Sequence, residues 1–71
     1  MTDTHLLKYY IHKNGDTIET LADFLEIKRP TLSAKINNRA DFKQSEMFLI
    51  KERYRLKPMV FLQLFLGGEN N

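Results

Sequence analysis

IETLADFLEIKRPTLSAKINN, residues 18–38, is the stretch whose reading decides the fold. Ile18, Leu21, Ala22 and Leu25 recur at three- and four-residue spacings, which is the apolar stripe of a helix. Thr17 is suited to cap that helix, and Glu19 suits the positive end of its dipole. The helix should end at Leu25 or Glu26, because Ile27 begins a new pattern. Pro30 is tolerated in a first turn and not in a helix interior, so a second helix starts near Arg29 and runs to about Asn37. Within it only Leu32 and Ile36 are strongly apolar. Arg29, Thr31, Ser33, Ala34, Lys35 and Asn37 are then spread over the remaining surface, so most of this helix is expected to face outward.

On the N-terminal side, His5 to Asn14 carries Leu6, Leu7, Tyr10 and Ile11 at helical spacing, and Gly15 offers a left-handed stop. On the C-terminal side, Asn37-Asn38-Arg39 is a turn signal. Gln44 to Arg55 returns to helical periodicity through Met47, Ile50 and Tyr54, and Lys57-Pro58 separates it from a final apolar segment. Residues 59–66 are apolar at seven of eight positions before Gly67-Gly68. Periodicity alone leaves a short helix and a strand both open there, and Pro58 at a first turn favours the helix. The chain therefore reads as one all-α domain over residues 1–71, with the central motif at 18–38, an apolar segment at 58–66 and a tail at 67–71.

Seventy-one residues bury only about 60% of their unfolded surface, so the stability margin is thin. No cysteine and two histidines leave neither a disulfide framework nor a zinc ligand set. No cofactor and no metal are expected. The start lacks the basic and apolar regions of a secretory signal, and residues 59–66 are far short of the ~20 needed to span a bilayer. The expectation is a cytoplasmic protein without a membrane partner. Net charge is only +2, but its sign changes along the chain. Asp16, Glu19, Asp23 and Glu26 are the charged residues of 16–26, whereas Lys28, Arg29, Lys35, Arg39 and Lys43 face only Asp41 in 28–43. There is no nucleophilic cysteine, glycine-rich phosphate loop or metal-ligand spacing, and the chain is too short for an ordinary substrate pocket. An enzyme and a small-molecule substrate are therefore not expected.

Helix, short turn and helix with a polar outer face together resemble a helix-turn-helix. The string Thr31-Leu32-Ser33-Ala34-Lys35-Ile36-Asn37-Asn38, with Leu21-Ala22 before it and Ser45-Glu46 and Lys51-Glu52-Arg53-Tyr54 after it, is similar to the Cro and repressor branch of the lambda-repressor-like (XRE) family. The likeness spans roughly Leu6 to Leu66. It implies a compact five-helix domain that binds double-stranded operator DNA, often as a dimer, and controls transcription in a phage or prophage switch. Carried over by position, Arg29, Pro30, Ser33 and Ala34 would face base edges, joined by Thr31. Lys28, Lys35, Asn37, Asn38 and Arg39 would lie near the sugar-phosphate backbone, as would Thr17, Lys43 and Gln44.

The chain departs from the family pattern at three places. Glu26 stands where a left-handed glycine is common, so either the turn differs or this residue bears a strain of ~1 kcal/mol. Lys28 replaces the usual Ser or Thr cap, forgoing ~1 kcal/mol but setting a cation beside DNA. Pro30 and Ala34 offer bases only apolar contact, which leaves Arg29 to pair bidentately with guanine. About five phosphate contacts predict a slope of log affinity against log salt near −4 or −5. Exposure of Phe61, Leu62, Leu64, Phe65 and Leu66 would make a patch that a two-fold homodimer covers, the other reading being that these residues only complete the core. The alternative reading is a protein-interaction module that binds another regulatory protein through this segment. Arg29→Glu should then break DNA binding, and Phe65→Asp self-association.

Overall fold

Asp3 turns the chain into its first helix: in extended backbone, its Oδ1 accepts the Leu6 N–H at 3.1 Å. In the computed structural model, which describes residues 1–67, this helix (α1) is Thr4–Lys13. It ends through Asn14 and Gly15, and Gly15 takes the left-handed conformation at φ 77° with open space where a side chain would be. The helix starts one residue before the expected His5, because the apolar stripe marks a buried face and the cap lies upstream of it.

Thr17 caps α2, Ile18–Leu25, by a reciprocal pair: its Oγ1 accepts the Thr20 N–H at 3.1 Å, and its own N–H donates to Thr20 Oγ1 at 2.9 Å. Glu26 then adopts φ 59°, ψ 40°, so the left-handed turn is kept despite a side chain that disfavours it. Ile27 and Lys28 complete a three-residue connection to α3, Arg29–Ile36, with Pro30 in its first turn. No side chain caps α3 at Lys28. A loop leads to α4, Gln44–Tyr54, which ends with Arg55 at φ 53°. Pro58 opens α5, Pro58–Leu66, so residues 59–66 are helical and not a strand. Gly67 closes that helix where a Cβ would stand 2.8 Å from the Gln63 carbonyl oxygen. Gly68 and the rest of the expected tail lie outside the described residues.

All five helices contribute to one core, with α2 packed on α3 and α1 on α5. Leu7, Leu21, Leu32, Ile36, Ile50 and Leu64 are its largest wholly buried side chains. Phe42, from the α3–α4 loop, meets Phe65 edge-on at 5.5 Å between ring centroids. Leu64 and Phe65, 0% and 2% exposed, are thus core residues. Their expected place in an intermolecular interface is corrected, and Phe65→Asp would unfold the domain rather than test association. The expectation of one exposed apolar segment failed because α5 shares its apolar residues between two faces.

Two polar networks tie distant parts together. Asp16, between α1 and α2, receives Arg53 Nε at 2.7 Å and Arg53 Nη2 and the Tyr54 hydroxyl at 2.8 and 2.7 Å. The Arg53 guanidinium also lies 4.4 Å from the Phe24 ring centre. Hydrogen bonds from Arg53, outweighing partial burial and aided by Tyr54 and Thr20, hold the Asp16 carboxyl well below the usual range. Burial, with the Asp16 carboxylate beside it, pushes the Tyr54 phenol up. At the N-terminus the Asp3 N–H donates to the Leu64 carbonyl at 2.8 Å. Among the described residues no helix is long and apolar enough to cross a membrane.

Candidate nucleic-acid interface

Helix α3 turns Leu32, Lys35 and Ile36 inward. At about 100° per residue, the opposite face consists of Pro30, Ser33, Ala34 and Asn37, an i, i+3, i+4, i+7 stripe, with Arg29 and Thr31 on its flanks. Arg29, Pro30, Thr31 and Asn37 are exposed, and Ser33 and Ala34 half-buried. The five residues expected at base edges therefore share one accessible surface. Asn37 Nδ2 donates to the Ser33 carbonyl at 2.9 Å, which steadies the amide at the C-terminal end of that surface.

The residues expected near phosphates divide. Lys28 stands exposed at the start of α3, Asn37 at its end, and Arg39, Lys43 and Gln44 beyond it. Thr17 is also exposed, at the tip of α2. Lys35 does not belong with them: it is 7% exposed, and its Nζ donates to both carboxylate oxygens of Glu46, at 2.6 and 2.8 Å. An ammonium held there by two short bonds cannot reach a phosphate. Glu46 Oε1 also accepts the Lys43 N–H at 2.9 Å, half of a capping arrangement for α4. Burial pushes the Glu46 carboxyl up, but the Lys35 ammonium and the Lys43 N–H outweigh it and hold the group below its ordinary value. Asn38 is the second correction. At φ 63°, its Oδ1 accepts the Thr2 N–H and its Nδ2 donates to the Thr2 carbonyl, both at 2.9 Å. Its amide serves the N-terminal segment instead of a phosphate.

Two features escaped the sequence reading. The pairing of Glu46 with Lys35 has no local signal, because the two lie eleven residues apart on different helices. Phe48 and Leu49 on α4 are exposed, as are Met59, Leu62 and Leu66 of α5, of which Met59 is 76% exposed. Phe48 stacks on the half-buried Phe61 with ring centroids 5.7 Å apart. Beside them runs a groove of about 390 Å³ lined by Phe42, Gln44, Met47, Phe48, Phe61, Phe65 and Leu66. A signal was present: Phe48 and Leu49 fall off the Met47, Ile50, Tyr54 stripe that defines the inner face of α4. Of the expected interface residues, Leu62 and Leu66 are exposed, Phe61 partly so, and Leu64 and Phe65 are internal.

Chemically, the α3 surface offers hydroxyl, amide and guanidinium groups without a cluster of titratable side chains. Among the described residues no group of three or more His, Asp or Glu is placed to hold a metal ion. The fold and this surface define a class, a small all-α domain in which one helix exposes a polar face between basic residues. No family model, curated protein or solved structure matches the chain.

Proposed function

We propose that this protein is a cytoplasmic, sequence-specific DNA-binding regulator that lays α3 in the major groove of an operator. The observation that carries this reading is the exposure of cations on both sides of α3 in the chain, Lys28 and Arg29 at its start and Arg39 and Lys43 in the loop that follows it. A helix with its side chains is about 10–12 Å across, which matches the major groove, about 12 Å wide, so Lys28, Arg39 and Lys43 are available to phosphates while Arg29, Thr31 and Ser33 meet base edges. Pro30 and Ala34 supply apolar contact, as to thymine methyls. Glu19, Asp23 and Glu26 are exposed on and just after α2, and their repulsion of phosphate limits the approach to one orientation.

The family resemblance of residues 18–38 supports a Cro- or repressor-type role in a phage or prophage switch. Self-association as a homodimer fits the outer stripe of α5, where Met59, Leu62, Gln63 and Leu66 are all exposed and none is charged. Such a dimer sets two α3 helices about one DNA turn apart. The test is selection of randomised duplexes on the purified protein at ~150 mM salt, where weak binding is screened. A two-fold site with half-sites about 10 base pairs apart is expected, and Arg29→Glu should abolish its binding while leaving the fold intact. No enrichment would defeat the reading. A second reading, a module that docks another regulatory protein, is favoured by the apolar groove beside α5, and it would then stand in its place.

A further inference from the structure

Helix α3 rests on the core through Leu32 and Ile36, both wholly buried and four residues apart. Anchors at that spacing lie nearly along the helix axis. A helix held by them alone can roll about the line that joins them. The third inward side chain, Lys35, precedes Ile36 and so lies about 100° round the helix from it. It is bound to α4 by the bidentate contact with Glu46, and the two side chains are only 9% and 6% exposed.

Burying two charges is costly, and apolar residues of similar volume often replace such a pair with no loss of stability. What apolar packing lacks is direction. Two short hydrogen bonds from one buried ammonium to two buried carboxylate oxygens restrict the roll of α3 more narrowly than apolar contact does. Glu46 is itself held in place by the Lys43 N–H. The C-terminal end of α3 has a further tie, since Thr4 Oγ1 donates to the Ile36 carbonyl at 2.7 Å, whereas Lys28 provides no side-chain cap at the other end.

We propose that Lys35 and Glu46 are positioning residues whose buried pair sets the roll angle of α3, and thereby the discrimination of specific from random DNA. The proposal rests on the DNA-binding reading above. With Pro30 and Ala34 making only apolar contact, few directional groups remain on the outer face. A modest roll would misalign all of them together.

The test is the double variant Lys35→Met/Glu46→Leu, with Lys35→Arg as the charge-retaining control. The double variant is expected to melt cooperatively at or above the wild-type temperature and to bind random duplex as before. Its ratio of specific to random affinity, about a thousandfold or more in a specific regulator, should fall about tenfold. Amide hydrogen exchange in α3 should quicken relative to α2. Lys35→Arg should keep both the ratio and the exchange pattern. An unchanged ratio in the apolar variant overturns the proposal, as does its failure to fold, which would make the pair a stability element. If wild type does not discriminate duplexes, the DNA-binding reading fails separately. The exchange rates then decide the positioning role: faster exchange in α3 upholds the restraint, and unchanged exchange removes it.

Discussion

Glu26 holds a left-handed backbone conformation, φ 59°, that costs a side-chain-bearing residue of order 1 kcal/mol and glycine little. Glu26→Gly is therefore expected to raise unfolding stability by about 1 kcal/mol, read from the urea midpoint at unchanged m-value. Asp16 works in the opposite sense. Its carboxyl is held below the ordinary value by Arg53, so the unfolded chain takes up the proton first on acidification. Its contribution is full above about pH 4, the unfolded value, and falls away as pH drops toward the folded one. Asp16→Asn should lower the melting temperature at pH 7 and leave a shallower decline between about pH 4 and pH 2; equal declines in both proteins would show that Asp16 does not set this limb. Neither Asp16 nor Lys35 could be assigned from local pattern. A lysine in a polar-faced helix looks solvated until the partner on another helix is known, and the Asp16–Arg53 contact spans 37 residues.

The helices themselves were legible because their ends carry local chemistry: Gly15 and Thr17 around the first connection, Pro30 and Pro58 in first turns. The α5 faces were not, since an almost unbroken apolar run lacks the polar gaps that mark a surface. Only packing tells Leu64 from Leu62. The start of α3 shows how an element's stability and its contacts can diverge. Lys28 has N-cap geometry, φ −76° and ψ 149°, but no capping oxygen. Lys28→Ser should add about 1 kcal/mol to stability. On the proposed DNA-binding reading, the same substitution should weaken binding to every duplex alike, because Lys28 would contact a phosphate and no base. Thermal melts and titrations with two unrelated duplexes test both halves, and a loss confined to one sequence would place Lys28 at a base.

At the scale of the whole molecule, moving Lys35 from the surface to the interior alters the expected electrostatics. Without Lys35, 7% exposed, the roughly five expected phosphate contacts become about four. The slope of log affinity against log salt should then be about −3.6, at −0.9 per neutralised phosphate; titrations between about 50 and 300 mM salt would measure it, and a slope steeper than about −5 would require cations from elsewhere on the chain. On the proposed homodimer, Leu62→Asp, at an exposed position of α5, should weaken self-association without loss of helicity, which sedimentation and circular dichroism report together. The N-terminal segment bears on how the molecule is made. The Met1 amino group donates to the Phe65 carbonyl across 64 residues, and the Asp3 N–H to that of Leu64. At a synthesis rate of about 5–20 residues per second, residues 1–3 wait roughly 3–13 s for residues 64 and 65 to be made. The nascent chain thus cannot complete this core piecemeal before α5 emerges, and α5 is the helix that locks α1.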